Sequence, residues 1–241
     1  MGNPGMLTEG ELRDIEYRTL LSIGGGAGLH LPHAAAGLYL FLARRIYILT
    51  ISIRPLLDTQ NGRRHFEVNM DIFMNAAEQM VMDGRAAIIS SVDPATVPFI
   101  CTCTPGKPVC ECMFPRRLWA SGDRGGRGIT WPPKPILWFG AVSDYDWLSF
   151  IGASTSAIVG TVSRNGDSYT ATINYFLDDY YDWELNSEDG AGLVLDAEMA
   201  QLHLYGWAKS YRIDGYVHGI ELTWQRKQRF GSENQPTLVL P

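Results

Sequence analysis

The chain has 241 residues, 46% of them hydrophobic and 19% charged, which is the composition of a globular protein with a large buried core. The formal net charge of −6 argues against general binding to nucleic-acid phosphates or to anionic membranes. The first 16 residues lack the basic and apolar regions of a classical signal peptide. Arg44 and Arg45 interrupt the apolar run 38–57, so no transmembrane span is expected.

The first part of the chain, residues 1–91, is predicted to be rich in helix. Apolar residues recur at helical spacing in three stretches. These stretches are 8–21, 33–45 and 66–82. Glycines 24–26 are expected to break the chain after the first helix, and 60–64 is a predicted turn. The segments 46–53 and 86–91 are rich in β-branched residues, which predicts a buried strand in the first and a short strand in the second.

Residues 92–134 are rich in Cys, Pro, Gly and Arg and show no periodicity, which predicts a loop region. Its cysteines occupy alternate positions on either side of Pro105-Gly106. They are Cys101, Cys103, Cys110 and Cys112. Alternate residues of a strand share a face, so a hairpin about that turn would gather the four thiols. Three outcomes are open: two cross-strand disulfides, a four-thiolate zinc site, or free cysteines.

Residues 135–225 are predicted to form an antiparallel β part. Within it the hairpin 157–177 is the strongest local signal, because Asn165-Gly166 suits a two-residue type I′ turn. That turn pairs Val162 with Tyr169 and fixes the register of every pair beyond them. The apolar partners then all fall on one side, which predicts a hairpin with one buried face.

The segments on either side of the hairpin complete the β part. Strand character over 135–153 supplies core candidates. They are Trp138, Phe139, Trp147, Phe150 and Ile151. Asp196 is predicted to cap a helix over 197–209, and a long strand over 211–224 precedes a polar tail, 226–241. The sequence therefore predicts an α+β protein in one compact domain, with a helix-rich N-terminal part and a mainly antiparallel β C-terminal part that has one late helix.

The hairpin runs into Asp178-Asp179-Tyr180-Tyr181-Asp182-Trp183, the most acidic and aromatic stretch of the chain. Asp178, Asp179 and Asp182 could hold a hard divalent cation, Mg²⁺ or Ca²⁺, through oxygen ligands. Such an ion could polarise a phosphoryl group, which makes Asp179 and Asp182 candidate catalytic residues. Tyr181, expected to pack beside them in a cleft, is a further candidate. The alternative is a solvated strand end where the rings pack, which is the usual role of an acidic cluster.

His203 is a further candidate catalytic residue. The helix predicted around it should pack near the hairpin, and an imidazole exchanges protons near neutral pH. The alternative is a half-buried histidine with a structural hydrogen bond. His30 and His33 flank Pro32, and that spacing is too isolated to predict metal ligands.

Three segments resemble one bacterial module. They are Asp144-Tyr145-Asp146-Trp147, the stretch GTVSRNGDSYTATINYFLDDYYDWE, and DAEMAQLHLYGWAKSYRIDGY. The chain is similar in these segments to a C-terminal module of uncharacterised secreted or polymorphic-toxin proteins of bacteria. In that module a glycine-turn hairpin leads into a Tyr-Asp-Trp strip, and a helix with Leu-His precedes a last strand. The segment 33–42 also resembles that module's helix.

The acidic stretch is also similar to the catalytic segment of the colicin M family, toxins that cleave the undecaprenyl-linked peptidoglycan precursor. That segment has a hairpin running into Asp-x-Tyr-Asp, which Asp179, Tyr181 and Asp182 match. The His-Arg pair that follows in the family is replaced by 186–189, Asn-Ser-Glu-Asp. The resemblance therefore implies a phosphate-containing substrate. Because the His-Arg pair is absent, the family's phosphodiester chemistry is not carried over to this chain.

Two functions follow as hypotheses. The resemblances imply a toxin-like effector that acts on a phosphate-containing cell-envelope precursor, is delivered to another cell without a classical signal peptide, and is matched by an immunity-type protein partner. The alternative is a non-catalytic binding or structural module of a phage particle or surface assembly, because a β-surface rich in Trp and Tyr suits recognition.

Overall fold

The computed structural model of the chain describes most of its residues. These are 7–28, 31–90, 100–102, 111–113, 127–128, 146–147, 150–151, 154–181, 183, 190–191 and 193–241. The helices are α1 (Glu9–Gly28), α2 (Pro32–Ala43), a 3-10 helix (Arg54–Asp58), α3 (Gln60–Met80) and α4 (Asp196–Leu204). The predicted α+β class is confirmed, with helices in the N-terminal part and one late helix.

The strands, in chain order, follow. They are β1 (Ile48–Ser52), β2 (Ala86–Ser90), β3 (Ile100–Thr102), β4 (Glu111–Met113), β5 (Arg127–Gly128), β6 (Thr155–Asn165), β7 (Ser168–Tyr181), β8 (Gly190–Ala191), β9 (Val194–Leu195), β10 (Tyr211–Gln225) and β11 (Thr237–Val239). The main sheet has the order β1-β10-β7-β6-β2, with β11 paired to β10 and β5 paired to β6. Two further hairpins, β3–β4 and β8–β9, stand apart from that sheet.

The central hairpin β6–β7 is present, but its predicted register is wrong by two residues. Asn165 pairs with Ser168, so the two turn residues are Gly166 and Asp167 rather than Asn165 and Gly166. Only Gly166 of the two has a positive φ, +61°, as a type II′ turn with Gly at its first central position requires. A shift of two residues leaves each side chain on its face, so Val162 is buried as predicted.

The chain forms two compact units, each assembled from three segments. The first is Met1–Thr50, Trp131–Ala153 and Asp179–Ile213, and the second is Ile51–Thr130, Ser154–Asp178 and Asp214–Pro241. The first unit contains α1, α2 and α4, and the second contains α3, β2 and β6. Each unit has its own buried aromatic and aliphatic side chains.

In the first unit, α1 runs through the glycines that were predicted to break it. The helix continues to Gly28, and the N–H of Leu31 donates to the carbonyl of Gly26 (2.9 Å). Leu12 and Ile15 are buried against neighbouring helices, and α1 lies against both α2 and α4. Burial of that face outweighs the cost of about 0.5–1 kcal/mol that each helical glycine carries relative to alanine.

In the second unit, α3 begins earlier than predicted, because the supposed turn 60–64 is its first turn. The Thr59 hydroxyl caps the helix by accepting from the N–H of Gly62 (3.1 Å). A Cβ at Gly62 would lie 2.2 Å from the carbonyl oxygen of Leu56, so only glycine fits there. The Met-rich face of α3 is buried in the core, and the helix packs on β2 and β6.

Other predictions need correction. The strand predicted as buried over 46–53 is shorter and alternates in exposure, with Ile48 54% exposed. The described residues of 135–153 are helical, not extended, although Trp147 and Phe150 are buried as predicted. Trp138 and Phe139 lie outside the described residues.

The C-terminal part differs from the prediction at two points. Asp196 is the first residue of α4 rather than its cap, and the helix ends at Leu204 instead of residue 209. The segment predicted as a polar tail contains β11, whose Leu238 is the Cα partner of Leu222 in β10. In the described part of the chain, no helix is long and apolar enough to cross a membrane.

Candidate functional site

The N-terminus of α2 in the first unit carries a histidine–carboxylate pair. Nδ1 of His33 lies 2.6 Å from Oδ2 of Asp146, whose side chain is only 4% exposed. The same carboxylate accepts from the backbone N–H groups of His33 (3.2 Å) and Ala34 (2.8 Å). Pro32 begins the helix and has no N–H to satisfy, so Asp146 binds the next two free donors. A negative charge is also favourable at a helix N-terminus.

The contact with Asp146 decides which ring nitrogen of His33 carries the proton. An ionised carboxylate can only accept, so Nδ1 holds the hydrogen and Nε2 presents a lone pair. No described residue hydrogen-bonds Nε2, and the His33 side chain is 37% exposed. The ring stacks on Trp147 with centroids 4.2 Å apart. An imidazole oriented in this way can take a proton from a reacting group and return it.

Gly37, one helical turn after His33, lets an aromatic cluster approach α2. A Cβ at Gly37 would lie 2.8 Å from Cε2 of Tyr181 and 2.9 Å from Cδ2 of Phe150. The ring of Phe150 lies 6.1 Å from that of His33 and 6.3 Å from that of Tyr181. Glycine at this position therefore fixes the rings beside the imidazole.

The same cluster determines what Tyr181 can do chemically. Its ring stacks on Tyr211 (5.0 Å), and the Tyr211 hydroxyl donates to the carbonyl of Gly37 (3.2 Å). Burial, with Tyr211 and the carboxylates of Asp179 and Asp196 adding to it, raises the pKa of Tyr181 well above its ordinary value. Burial and Asp179 likewise raise the pKa of Tyr211. Both phenols therefore stay protonated, which suits donation of a hydrogen bond and not action as a base.

The acidic stretch is described only in part. Asp178 and Asp179 lie near the end of β7 and are both partly exposed, whereas Asp182 lies outside the described residues. Among the residues that the structure describes, no three His, Cys, Asp or Glu side chains come together in a way that could hold a metal ion. The divalent-cation site at Asp178, Asp179 and Asp182 therefore stays a prediction.

His203 lies at the C-terminal end of α4 and is exposed. Its Nδ1 accepts a hydrogen bond from the N–H of Ser210 (3.2 Å). An imidazole that is neutral and accepts at Nδ1 carries its hydrogen on Nε2, so the lone pair needed by a general base is already used. The contact fixes the chain after α4, which is a structural role.

A second histidine network lies in the second unit. Nε2 of His65 is 2.8 Å from Oγ of Ser156 and 2.9 Å from Nδ2 of Asn69. An amide nitrogen can only donate, so Nε2 accepts here. Ser156 and Asn69 are each 1% exposed, which denies the serine access to a substrate. Burial raises the pKa of the nearby Tyr175 to about 12, against a smaller opposing effect of Ser156.

Sequence reasoning missed the pairing of His33 with Asp146, which are separated by 113 positions. One signal was available. A helix that begins at proline leaves its next N–H groups needing an acceptor, and an acidic residue followed by an aromatic one, Asp146-Trp147, is a suitable source. The signal does not say which of the chain's carboxylates fills the position.

The hairpin predicted for the cysteine region is confirmed where it is described. Cys101 of β3 and Cys112 of β4 are direct Cα partners in an antiparallel pair. Cys103 and Cys110 lie outside the described residues. The structure describes Cys101 and Cys112 through the pairing of their backbones, so disulfide, zinc and free thiols all stay predictions.

The fold and the site together define an α+β protein with a carboxylate-held histidine at a helix N-terminus. Comparison of the chain with protein-family models, with curated protein sequences and with solved structures finds no match. The resemblances to the toxin module and to colicin M therefore rest on their sequence motifs alone.

Proposed function

We propose that the chain is a toxin-like bacterial effector enzyme in which His33 is the general acid–base and Asp146 its orienting carboxylate. The observation that carries the proposal is the 2.6 Å contact from Nδ1 of His33 to a carboxylate that is 4% exposed. A buried acceptor fixes both the tautomer and the direction of the ring, while the other nitrogen remains available for proton transfer.

The chemistry follows from that tautomer. Nε2 of His33 takes a proton from an attacking water or hydroxyl, and Asp146 stabilises the imidazolium that forms. The imidazolium then returns the proton to the leaving oxygen, which completes a hydrolytic or transfer step. The proposed substrate is a phosphate-containing cell-envelope precursor, on the strength of the Asp179, Tyr181 and Asp182 motif. A divalent cation on the acidic stretch would neutralise phosphoryl charge when bound.

Delivery and protection belong to the same proposal. An effector of this kind is secreted or delivered to another cell, and its producer needs an immunity-type protein partner. The supporting observation is the resemblance of three segments of the chain to the bacterial toxin module.

The test is inducible expression in a susceptible bacterium, directed separately to the cytoplasm and to the periplasm. The parent is expected to slow growth in one compartment, and His33→Gln to lower that activity at least about 100-fold, since a general acid–base contributes roughly 10²–10⁴ in rate. His203→Gln is the matched control and should retain activity, because His203 has a structural partner. A parent without effect in either compartment contradicts the proposal.

Exposed tyrosines favour the second candidate, a non-catalytic binding module. Four tyrosines of the first unit present most of their side chains to solvent. They are Tyr17 (61% exposed), Tyr39 (60%), Tyr47 (72%) and Tyr180 (54%). Tyrosine is enriched at interfaces because it offers a large rigid ring with a polar end. A stable partner complex that His33→Gln leaves intact, with no turnover of envelope precursors, would support this candidate over the enzyme.

A further inference from the structure

The register of the β3–β4 hairpin places two cysteines directly opposite each other. Cys101 and Cys112 are Cα partners, with Ile100 facing Met113 and Thr102 facing Glu111. Directly opposed residues of an antiparallel pair have Cα atoms roughly 4.5–5.5 Å apart. Disulfides span Cα separations of about 4.4–6.8 Å, so this register position suits one.

The same geometry argues against the neighbouring pairings. Diagonal positions across an antiparallel pair are about 7–8 Å apart, beyond the usual reach of a disulfide. Residues two apart on one strand are separated by roughly 6.6 Å along an extended chain, with parallel Cβ vectors that do not converge. Four cysteines allow three pairings, and only one of them contains the bond between opposed partners.

We propose that Cys101 and Cys112 form a cross-strand disulfide that closes this hairpin. The bond forms in an oxidising compartment, outside the reducing cytoplasm, and does not depend on whether the protein is an enzyme or a binding module. It selects one connectivity from the three that the sequence leaves open.

The chemistry is thiol–disulfide exchange with a disulfide oxidant, such as oxidised glutathione or a thiol oxidoreductase. The thiolate of one cysteine attacks the oxidant's disulfide, forms a mixed disulfide and releases one thiolate of the oxidant. The second cysteine's thiolate attacks the protein sulfur of that mixed disulfide and releases the other. Two protein thiols lose two electrons, the oxidant gains them, and the two protons end on the oxidant's thiols.

The experiment uses full-length double variants that each keep two cysteines. Cys103→Ser with Cys110→Ser keeps the opposed pair, and Cys103→Ser with Cys112→Ser keeps Cys101 and Cys110, which are not Cα partners. Both are equilibrated in a graded series of reduced and oxidised glutathione, alkylated and weighed. The opposed pair should lose two hydrogens and resist alkylation at least about 10-fold further toward the reducing end of the series than the second pair.

The parent chain supplies an independent check on the natural cysteines. Cleavage after Glu111 under denaturing, non-reducing conditions puts Cys112 on a different peptide from the other three cysteines. The two peptides should stay joined until a reductant is added. Release of a free Cys112 peptide without reductant would overturn the proposal, as would equal oxidation of the two double variants. If instead all four thiols resist alkylation until a chelator removes one bound zinc ion, the cysteines form a metal centre and not a disulfide.

Discussion

His33 in the first unit and His65 in the second are both held by a polar partner that is almost fully buried, but the partners differ in charge. His33 contacts a carboxylate, Asp146, and is 37% exposed on its side chain. His65 contacts the hydroxyl of Ser156 and the amide of Asn69, both neutral and both 1% exposed. The first arrangement can stabilise an imidazolium that reaches solvent, whereas the second links α3 to β6.

A buried hydrogen-bond partner is therefore not enough to identify a histidine as catalytic. A catalytic imidazole also needs a second nitrogen that a substrate can reach and a charge that compensates its protonated form. His203 fails the first condition, because Nδ1 is hydrogen-bonded to Ser210 and Nε2 carries the proton. His33 alone among these three meets both conditions in the part of the chain that the structure describes.

The largest expected effect comes from filling the space that the rings beside His33 occupy. Gly37→Ala would put a Cβ 2.8 Å from Tyr181 and 2.9 Å from Phe150, both of them buried rings with little room to move. We expect the free energy of unfolding to fall by about 3 kcal/mol, at the upper end of overpacking costs. Urea unfolding followed by tyrosine and tryptophan fluorescence measures it.

Gly25→Ala is the matched control for that substitution. Gly25 also lies in a helix of the first unit, but a Cβ there has nothing within 4 Å. Alanine should stabilise the protein by about 0.5–1 kcal/mol through helix propensity alone. If both substitutions destabilise equally, the close approach of the rings to α2 is not what holds the His33 site together.

The second effect should appear in the His65 network and leave His33 untouched. Asn69→Ala removes the donor to Nε2 of His65 (2.9 Å) and to Oγ of Ser156 (3.2 Å) and leaves a cavity. We expect a loss of about 2 kcal/mol, or a melting temperature lower by roughly 4–8 °C. Gln79→Ala, exposed on the same helix, should change little.

That variant also tests the assignment of roles. Below its melting temperature, Asn69→Ala should inhibit growth as strongly as the parent, because the His65 network is structural. A folded Asn69→Ala protein without activity would place the chemistry at Ser156 and His65 instead.

In the hairpin β6–β7, the sequence predicted which face each side chain occupies but not the register of the two strands. Alternation assigned Val162 and Tyr169 to the buried face correctly, because each side chain's face depends only on parity along the strand. The register was wrong because Asn165-Gly166 suits one turn type, while Gly166 can equally begin a type II′ turn. The turn residues indicate which turn types are possible, and the pairing of side chains along both strands decides which register forms.

The site could not be predicted in the same way. The helix around His33 followed from apolar spacing, but the partner of His33 depends on how segments 113 positions apart fold onto one another. The helical state of glycines 24–26 likewise depends on burial of the α1 face that contains Leu12 and Ile15, which local propensity does not contain. Tertiary contacts decided both outcomes.

A smaller effect concerns the ion pair that joins α1 to α4 in the first unit. Arg18 binds both oxygens of Glu198 (2.7 and 2.9 Å), and this hydrogen bonding lowers the pKa of Glu198 below its ordinary 4.5. A lowered folded-state pKa contributes stability that is present above about pH 4.5 and is lost as pH falls through the folded value. Glu198→Gln should therefore cost about 1 kcal/mol at pH 7, discounted for partial exposure, and progressively less below pH 4.5.

Urea unfolding of parent and variant at a series of pH values measures that difference. Glu9→Gln is the control, because its ion pair with Arg13 is 68–69% exposed and should contribute little. If the loss of unfolding free energy in Glu198→Gln stays constant from pH 7 to the pH of acid unfolding, Glu198 stabilises the protein through packing and not through the ion pair.

The smallest expected change is the position of one proton, with little change in stability. At about pH 8, where imidazoles are mostly neutral, long-range ¹H–¹⁵N spectra should show His33 and His65 protonated at Nδ1 and His203 protonated at Nε2. Asp146→Asn keeps Oδ1 as the acceptor for the N–H of Ala34, but puts an amide donor in the place of Oδ2, next to Nδ1 and the N–H of His33. Nδ1 must then accept, and the hydrogen moves to Nε2, where it blocks the lone pair that the proposed reaction uses.

Growth-inhibiting activity should fall at least about 100-fold while the melting temperature stays within a few degrees. An Asp146→Asn protein in which His33 keeps its hydrogen on Nδ1 and is inactive would show that the negative charge, rather than the tautomer, is what Asp146 contributes. Full activity in that variant would reduce Asp146 to a helix cap.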